Sequence, residues 1–375
     1  MGPLKELRVI ELQGIGPAPF CGMLLADLGA EVISIARSSS AAHHASLISE
    51  RGKLTIALNL KKPEGAEVVL KLCERCDVLI EGYRPGVTER LGIGPQPCME
   101  RNPRLVYGRM TGWGQTGPLS AAAGHDINYI ALSGVLHAIG RHGERPVPPL
   151  NLVGDFGGGA MFLAFGVMSA VFEARQSGRG QVVDVSMVEG SAALMHMMYA
   201  MQAQGQWSNE RGTNLLDGAA PFYDTYETAD GKYVSIGALE PAFYRELVTR
   251  VGLNTTETPS HTDTCEWPPL REKLTAIFKL RTRDEWCRIL EGSDACFAPV
   301  LTTREAPHHP HNRARGSFFE AGGVLQPAPV PRFSRTHPVL PAAASPAGSD
   351  TSAVLRSAGY SDTDIQSLRD CGALT

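Results

Sequence analysis

The sequence predicts an α/β protein in which a large domain built on a parallel sheet is followed by a smaller α+β domain. Short apolar runs alternate with helical periodicity over the first 110 residues, a pattern typical of parallel strands joined by helices. A hairpin-like pattern and three helical segments follow Pro221, which indicates a second unit. A chain of 375 residues is long enough for both domains.

The strands of the large domain are short, apolar and bounded by glycines or charges, and amphipathic segments lie between them. The predicted strands are residues 7–12, 31–35, 77–80 and 105–107, and the predicted helices are residues 20–28 and 64–75. Gly14 and Gly16 follow the first strand, as in a dinucleotide-binding turn. Pro17 and Pro19 come next and the third glycine is missing, so we expect no nicotinamide cofactor.

The second half of the chain carries a hairpin, three helices, a proline-rich stretch and two closing helices. A methionine-rich helical stretch, residues 186–206, precedes it; its methionines suit core packing or an adaptable surface for an acyl chain. Ser361 and Asp364 have capping-box spacing. The predicted elements are strands 222–227 and 232–236, helices 241–251, 268–280 and 282–290, an extended segment 326–348, and helices near 352–355 and 361–368.

Composition excludes several classes of function. The net charge of −4 gives no overall basic surface for nucleic acid. Eight irregularly spaced cysteines indicate a reducing compartment rather than a disulfide framework. Cys73 and Cys76 form a single CxxC, which lacks the second ligand pair of a zinc site. Pro310 interrupts the histidines of residues 308–311, and His43 and His44 lie in a polar loop, so we expect no metal site.

Two groups able to exchange protons, His125 and Asp155, each stand beside glycines. His125 belongs to Gly124-His125-Asp126-Ile127-Asn128-Tyr129, and Asp155 precedes Phe156 and three glycines. Glycine lets a ligand approach the backbone closely. Histidine ordinarily titrates near pH 6.5, whereas an aspartate needs burial in an apolar pocket to become a useful base. This pair suits removal of a proton from one face of a carbon and its return to the other.

The helix expected after Asp155 provides a further element of that chemistry. Residues 157–161 look like a helix start, whose backbone N–H groups could hold an enolate oxygen. Asp155 itself could instead be the N-cap of that helix. Asp126 is expected to orient backbone rather than react.

These motifs occur in an order that identifies a family. With residues 8–12, 81–87, 110–117, 178–184, 214–221 and 237–241, they make the chain resemble the family III CoA-transferase group (the CaiB/BaiF family) over nearly its whole length. The histidine segment is similar to that of the racemase branch, which acts on α-methylacyl-CoA thioesters. The transferase branches lack this histidine.

The resemblance implies a fold, an assembly and an activity. It implies a Rossmann-like large domain, a tail that returns to it, and two ring-shaped chains interlocked in a homodimer. It implies racemisation of 2-methylacyl-CoA thioesters by two-base 1,1-proton transfer through an enolate, with His125 and Asp155 on opposite faces of the α-carbon. Glu240 then hydrogen-bonds the histidine. Coenzyme A is part of the substrate, and no other cofactor is implied.

The domain boundaries expected from this comparison divide the chain into five parts. They are the large CoA-binding domain at 1–186, a linker helix region at 187–220, the small domain at 221–310, an extended return connector at 311–349, and C-terminal helices at 350–375 that pack on the large domain.

Coenzyme A carries phosphates, so its site needs cations at the mouth. Arg37 and Arg84 directly follow predicted strands, where ligands gather in open α/β sheets. Positions matching Arg37, Arg84 and Arg90 touch the nucleotide in relatives. Further candidates for binding coenzyme A or substrate are Tyr83, Arg51, Lys53, Gly124 and Tyr129, the last expected in the pantetheine or thioester pocket. Ordinary surface charge is the alternative for each cation.

Two other functions remain open at this stage. A family III CoA-transferase would use Asp155 as a nucleophile and pass through an aspartyl anhydride. An acyl-CoA-binding protein without catalysis would need the cations but neither His125 nor Asp155. The N-terminus resembles no signal peptide and Gly372-Ala373-Leu374-Thr375 is no SKL-type address, so we expect a cytoplasmic protein.

Overall fold

The computed structural model describes residues 2–37, 46–254 and 263–375, so His43 and His44 lie outside the described residues. The strands are β1 (Arg8–Leu12), β2 (Glu31–Ala36), β3 (Leu54–Ala57), β4 (Val78–Glu81), β5 (Val106–Thr111), β6 (Val182–Ser186), β7 (Tyr223–Glu227), β8 (Tyr233–Gly237), β9 (Phe297–Pro299), β10 (Phe318–Ala321) and β11 (Val324–Pro327).

The helices alternate with these strands in the first part of the chain and cluster between them later. They are α1 (Pro17–Asp27), α2 (Ser46–Ser49), α3 (Pro63–Cys73), α4 (Val87–Arg90), α5 (Pro95–Arg101), α6 (Asp126–Leu132), α7 (Val135–Ala138), a π-helix (Leu152–Ala160), α8 (Met161–Ser177), α9 (Met187–Leu194), α10 (His196–Ala203), α11 (Pro241–Arg250), α12 (Trp267–Phe278), α13 (Arg283–Leu290), α14 (Pro310–Ala314), α15 (Thr351–Ser357) and α16 (Asp362–Asp370). Short 3₁₀ turns occupy Thr264–Glu266 and Ala306–His308.

The chain forms two compact units, each assembled from separate stretches. The large unit comprises Met1–Val135, Pro149–His196 and Gly316–Thr375, and the small unit comprises Leu136–Pro148 and Met197–Arg315. The predicted boundaries at residues 186 and 221 were therefore wrong. The chain leaves the large unit twice, once before the π-helix and again within α10. The amino-acid composition does not change noticeably at either point.

A six-stranded parallel sheet with the order β3-β2-β1-β4-β5-β6 forms the centre of the large unit. This is the strand order of a doubly wound Rossmann-like sheet, which confirms the predicted fold class. The order reverses direction between β1 and β4, and ligands in such sheets bind at that point, beyond the carboxyl ends of the strands.

Alternate residues of the buried strands supply two cores, one on each face of the sheet. On one face, Val9 of β1 packs with α1 and α8. On the other, Ile10 of the same strand packs with α3 and with Leu355 and Ile365 of the C-terminal helices. The tail of the chain therefore completes the large unit, as predicted for residues 350–375.

Two strands of the sheet, β3 and β6, were not predicted from the sequence. Both lie at sheet edges. β3 has only four residues, and β6 alternates half-buried and exposed residues instead of forming an apolar run. The predicted helix at 186–206 is two helices, because α9 ends at Leu194 and α10 starts at His196.

Helical structure runs without interruption from Leu152 to Ser177, over 26 residues. It is the one helix among the described residues that is long and apolar enough to cross a membrane by length and composition. Leu163, Val167 and Val171 of this helix are buried against the sheet. Packing in a protein core therefore accounts for the apolar residues on this face of the helix.

The small unit contains the antiparallel sheet β7-β8-β9 and helices α11, α12 and α13, which pack around Phe222, Leu247, Phe278 and Trp286. The hairpin and these three helices match the prediction. The connector expected to be extended over 311–349 instead includes the end of α14 and the β10–β11 hairpin. It is free of helix and strand only from Ala328 to the start of α15.

Candidate active site

A cavity of about 920 Å³ opens in the large unit beyond the carboxyl ends of β1, β4 and β5. It thus lies at the point where the strand order of the sheet reverses. His125, Asp155 and Tyr129 all line it, as do Gly124, Tyr83 and Arg84. The structure therefore brings both predicted proton-transfer residues into one cavity, although 30 positions separate them in the sequence.

His125 stands at the N-terminus of α6, where its backbone is extended and its N–H donates to Asn128 Oδ1 at 3.0 Å. The imidazole is exposed and lines the cavity. His125 is therefore held through its backbone at the start of the helix, and its imidazole lines the cavity.

Asp155 lies inside the π-helix, four residues after Asn151, which is the residue at the N-cap. The interpretation of Asp155 as a helix N-cap was therefore wrong. Its backbone N–H donates to Asp126 Oδ2 at 2.7 Å, and Asn151 Nδ2 donates to its Oδ2 at 3.1 Å. These contacts hold both the main chain and the carboxylate, and Asp126 orients backbone as expected.

The glycines that follow Asp155 let the π-helix approach α9. A methyl group on Gly158 would lie 2.6 Å from Ser191 Oγ, and one on Gly190 would lie 1.8 Å from the Gly158 carbonyl oxygen. Long π-helices are rare and occur mostly at functional sites. Here the wide turn and the glycine contact together place Asp155 on the cavity wall.

Burial raises the pKa of the Asp155 carboxyl above its usual value. The hydrogen bond from Asn151 opposes this increase, the negative charge of Asp126 adds to it, and His125 lowers the pKa again. A carboxylate with a raised pKa is a stronger base, so the environment shifts Asp155 toward proton transfer.

The structure does not support the prediction that the amides after Asp155 hold an enolate oxygen. Gly157, Gly158 and Gly159 lie within the π-helix, whose N–H groups bond to carbonyls five residues earlier. They are not at a free helix end. In the described part of the chain, the N–H groups of Asp126 and Ile127 donate to no acceptor, as is usual for the first turn of a helix. These two lie directly after His125.

Tyr129 is buried beside the cavity, and its hydroxyl donates to the Gly124 carbonyl oxygen. Its ring packs edge-on against Trp113, with ring centroids 4.8 Å apart. A methyl group at either Gly112 or Gly124 would collide with this ring. Tyr129 thus shapes the pocket wall, and Gly124 is needed for close packing.

The predicted cations differ in their availability to phosphates. Arg37, Arg84 and Arg90 are exposed, and Arg84 lines the cavity. The Arg37 guanidinium stacks over the Tyr83 ring at 4.8 Å. Arg37 and Arg84 follow β2 and β4, as phosphate contacts at this edge of the sheet require.

Lys53 is not a free cation, so its predicted contact with coenzyme A was wrong. Its side chain is 0% exposed, and Nζ donates to Glu11 Oε2 at 2.8 Å, Glu50 Oε1 at 3.2 Å and the Pro19 carbonyl. Arg51 is likewise not a free cation, because it forms an ion pair with Asp27. The sequence could not reveal this, because Glu11 and Asp27 lie 42 and 24 positions away.

Glu240 belongs to the small unit, where it precedes Pro241 at the N-terminus of α11 and is exposed. Its predicted contact with His125 remains a prediction.

Several cavity residues were missed from the sequence. They are Asn151, which bonds to Asp155, and a row on α1 comprising Phe20, Met23 and Leu24. The helical spacing of that row could have indicated a cavity wall, but the same spacing is equally typical of residues in a hydrophobic core. Pro17 and Pro19 remove two N–H donors from the start of α1, so this helix end lacks the amides that cradle pyrophosphate in dinucleotide sites.

Among the described residues, no group of three or more His, Cys, Asp or Glu side chains is arranged to hold a metal ion. Cys73 and Cys76 are buried in the core between α3 and the sheet. His309 Nε2 lies 2.8 Å from Glu291 Oε1, within the small unit.

Comparison with known proteins agrees with this geometry. The model of CoA-transferase family III matches residues 4–351. A Mus musculus protein named alpha-methylacyl-CoA racemase is 48% identical over 367 residues, which cover 97% of this chain and 96% of that protein. The Homo sapiens protein of the same name is 44% identical, with the same shares covered.

A solved structure shares the fold. The crystal structure of a CAIB/BAIF family protein from Brucella suis superimposes with a TM-score of 0.82 at 23% identity, covering 95% of this chain and 99% of that one. From the family match over most of its length and from these relatives, the chain belongs to CoA-transferase family III.

Proposed function

We propose that the protein is a cofactor-independent racemase of 2-methylacyl-CoA thioesters, an isomerase that interconverts the (R) and (S) forms at the α-carbon. The observation that supports this proposal most directly is that His125 and Asp155 extend from two different helices into one cavity. Two separately mounted bases can address two faces of one carbon, which a 1,1-proton transfer needs. The relatives named alpha-methylacyl-CoA racemase support the same activity.

The proton transfer follows from the protonation of these groups. One base removes the α-proton, and the electron pair moves into the C–C bond and onto the thioester oxygen. The second group, protonated, delivers its proton to the opposite face. The raised pKa of Asp155 helps it to work in both directions. We propose that the unbonded N–H groups of Asp126 and Ile127, directly after His125, hold the enolate oxygen.

The substrate's coenzyme A would bind through the exposed cations. Arg84 at the cavity and Arg37 beside Tyr83 are positioned for phosphates, and Arg90 lies on α4, close in sequence to Arg84. We propose that Glu240 sets the protonation of His125 in the assembled enzyme, as its match to the family implies. We propose a homodimer on the same basis. We also propose a cytoplasmic location.

A single-enantiomer 2-methylacyl-CoA in deuterated buffer, with no acceptor acid, tests the reaction. We expect deuterium at the α-carbon together with loss of optical purity. His125→Ala should slow racemisation by about 100-fold or more, the size of a general-base contribution.

The alternative is CoA transfer with Asp155 as the nucleophile, which the family as a whole keeps open. No exchange of the α-proton, but CoA transfer once a free acid is added, would establish that alternative. An acyl or CoA adduct on Asp155 in a mass spectrum would identify its intermediate. Binding of the thioester with neither reaction would indicate a non-catalytic acyl-CoA-binding protein.

A further inference from the structure

We infer that Asp126 is a positioning residue that holds the two proton-transfer groups in register with each other. Its main chain continues directly from His125, and its carboxylate holds the main chain of Asp155. The inference rests on the proposed function for the reaction, and it adds which residue fixes the second base relative to the first. Asp126 exchanges no proton with the substrate in this role.

The side chain of Asp126 reaches from the start of α6 to the π-helix. Its Oδ2 accepts the backbone N–H of Asp155 at 2.7 Å, and only 6% of the residue is exposed. His125 is the N-cap of the same helix, and Asp126 is the first helical residue. One residue therefore joins the helix start that carries the imidazole to the π-helix that carries the carboxylate.

The glycine before Asp155 makes room for this contact. Gly154 is buried, and a methyl group there would lie 2.5 Å from Asp126 Oδ2. That distance is too short for two atoms that are not bonded, so a larger residue at position 154 would displace the carboxylate from the Asp155 N–H. The absence of a side chain lets α6 and the π-helix approach closely enough for the hydrogen bond.

Asp126 also acts on the Asp155 carboxyl through its charge. Its Oδ1 is buried and accepts a hydrogen bond from no residue that the structure describes. A buried charge is screened less than one in water, so it acts more strongly on its neighbours. Burial raises the pKa of Asp155 most, and the negative charge of Asp126 raises it further.

Other charges have less influence in the same direction. His125 and the hydrogen bond from Asn151 both lower the pKa of Asp155. The titratable groups on the other elements packed against the π-helix, and the remaining one on α6, are buried in the core, exposed or bonded elsewhere. They are Cys21 and Asp27 on α1, Arg109 on β5, Tyr129 on α6, Asp184 on β6 and Glu189 on α9.

The position of Asp126 matters for the proposed reaction because a two-base transfer needs both bases within reach of one α-carbon. Displacement of a catalytic group by about 1 Å can cost about 100-fold in rate. The bond from the Asp155 N–H to Asp126 fixes the main chain of the carboxylate base. Its loss should therefore impair the chemical step more than substrate binding.

A simpler role for Asp126 would be a stabilising charge at the start of a helix, which acidic residues favour. Asp362 occupies the same first position in α16, and its side chain is 79% exposed, so Asp362→Asn is the matched control. Asp126→Asn removes the charge but keeps an oxygen that can accept the Asp155 N–H. Asp126→Ala removes both the charge and the acceptor.

The titration of Asp155 tests the effect of the charge without relying on catalysis. Carbon-13 NMR of protein labelled at the aspartate carboxyl carbons would follow the Asp155 signal, identified by its absence from Asp155→Asn. We expect a lower pKa of Asp155 in Asp126→Asn than in wild type, because a neighbouring negative charge is gone. Asp362→Asn should titrate as wild type does. An unchanged or higher pKa of Asp155 in Asp126→Asn would overturn the inference.

Kinetics test the effect of the hydrogen bond. We expect kcat of Asp126→Ala to fall by about tenfold or more below that of Asp126→Asn, with a smaller change in KM. The acidic limb of the kcat/KM profile of Asp126→Asn should move to lower pH for the enantiomer that Asp155 deprotonates.

Equal kcat values for the two variants, or a rise in KM larger than the fall in kcat, would contradict the positioning role. A wild-type protein that racemises no thioester, while Asp126→Asn still lowers the pKa of Asp155, would refute the proposed reaction and leave the action of Asp126 on Asp155 standing.

Discussion

At the residue scale, the chemistry depends on how neighbouring groups set the protonation of Asp155. Its half-buried carboxyl has a raised pKa, and the N–H donated by Asn151 is the main contact that favours the ionised form. The sequence predicted Asp155 from its glycine context. It did not predict Asn151, because an asparagine four residues before the aspartate is equally typical of a turn.

Asn151→Ala should shift the pH dependence of catalysis. Loss of a donor to the carboxylate removes a contact that stabilises the ionised form, so the pKa of Asp155 rises further. The ionised base is then populated only at higher pH. We expect the acidic limb of the kcat/KM profile to move to higher pH for the enantiomer that Asp155 deprotonates. An unchanged or lower limb would contradict the assignment of Asn151.

Arg51 and Lys53 show why local sequence alone does not identify a phosphate ligand. Arg51 and Lys53 look like phosphate ligands in sequence, since they are cations in a polar, glycine-containing segment. In the structure both are buried in ion pairs with carboxylates from β1 and α1. Local sequence gives the charge of a side chain, but long-range topology determines its partner.

Lys53→Met should therefore affect stability rather than substrate binding. The substitution leaves Glu11 and Glu50 buried without their cation, and breaking a buried pair in this way costs about 3–5 kcal/mol. Chemical denaturation should show this loss, with the KM for the thioester within about twofold of wild type. The exposed Lys61→Met serves as control and should change stability by less than about 0.5 kcal/mol. A large rise in KM with full stability would restore Lys53 as a ligand of coenzyme A.

At the scale of elements, the π-helix and α9 form one functional assembly. The wide helix places Asp155 on the cavity wall, and the contact between Gly158 and Gly190 allows the two helices to touch. Sequence periodicity predicted helix here but not its π form, because glycines at 157–159 are compatible with a helix start. The close partner, Gly190, is 32 positions later in the chain.

Gly190→Ala tests this assembly. Its methyl group would lie 1.8 Å from the Gly158 carbonyl oxygen, so α9 must move away from the π-helix. We expect a loss of about 1–3 kcal/mol in stability and a fall in kcat larger than any rise in KM, since Asp155 is displaced. Gly14→Ala, where a methyl group meets open space, is the control. Equal kinetics for both variants would show that this contact does not position the base.

For the whole molecule, the sequence predicted the architecture far better than the boundaries of the two units. Alternating strands and helices indicated the parallel sheet, because buried parallel strands are continuous apolar runs. The edge strands β3 and β6 and the four crossings between the units were not predicted. Edge strands are short or half-exposed, and a crossing is defined by contacts that only the folded chain makes.

The large unit leaves an apolar helix face uncovered, which supports the expected dimer. Met161, Phe165 and Phe172 of α8 are 53%, 74% and 69% exposed and lie on one side of the helix. An exposed apolar face of this kind marks an association surface. Sedimentation equilibrium should give a dimer for wild type and a shift toward monomer for Phe165→Glu. A wild-type monomer at micromolar concentration would contradict the assembly.

In the proposed reaction, His125 and Asp155 act as two bases on opposite faces of one α-carbon. The most direct measurement is deuterium exchange by the single variants His125→Asn and Asp155→Asn, each supplied separately with the (R) and the (S) thioester. Each variant keeps one base, so it should exchange the α-proton of one enantiomer only, without racemising it, and the two variants should select opposite enantiomers. If both variants exchange the same enantiomer, or if either still racemises at the wild-type rate, the two-base account is wrong.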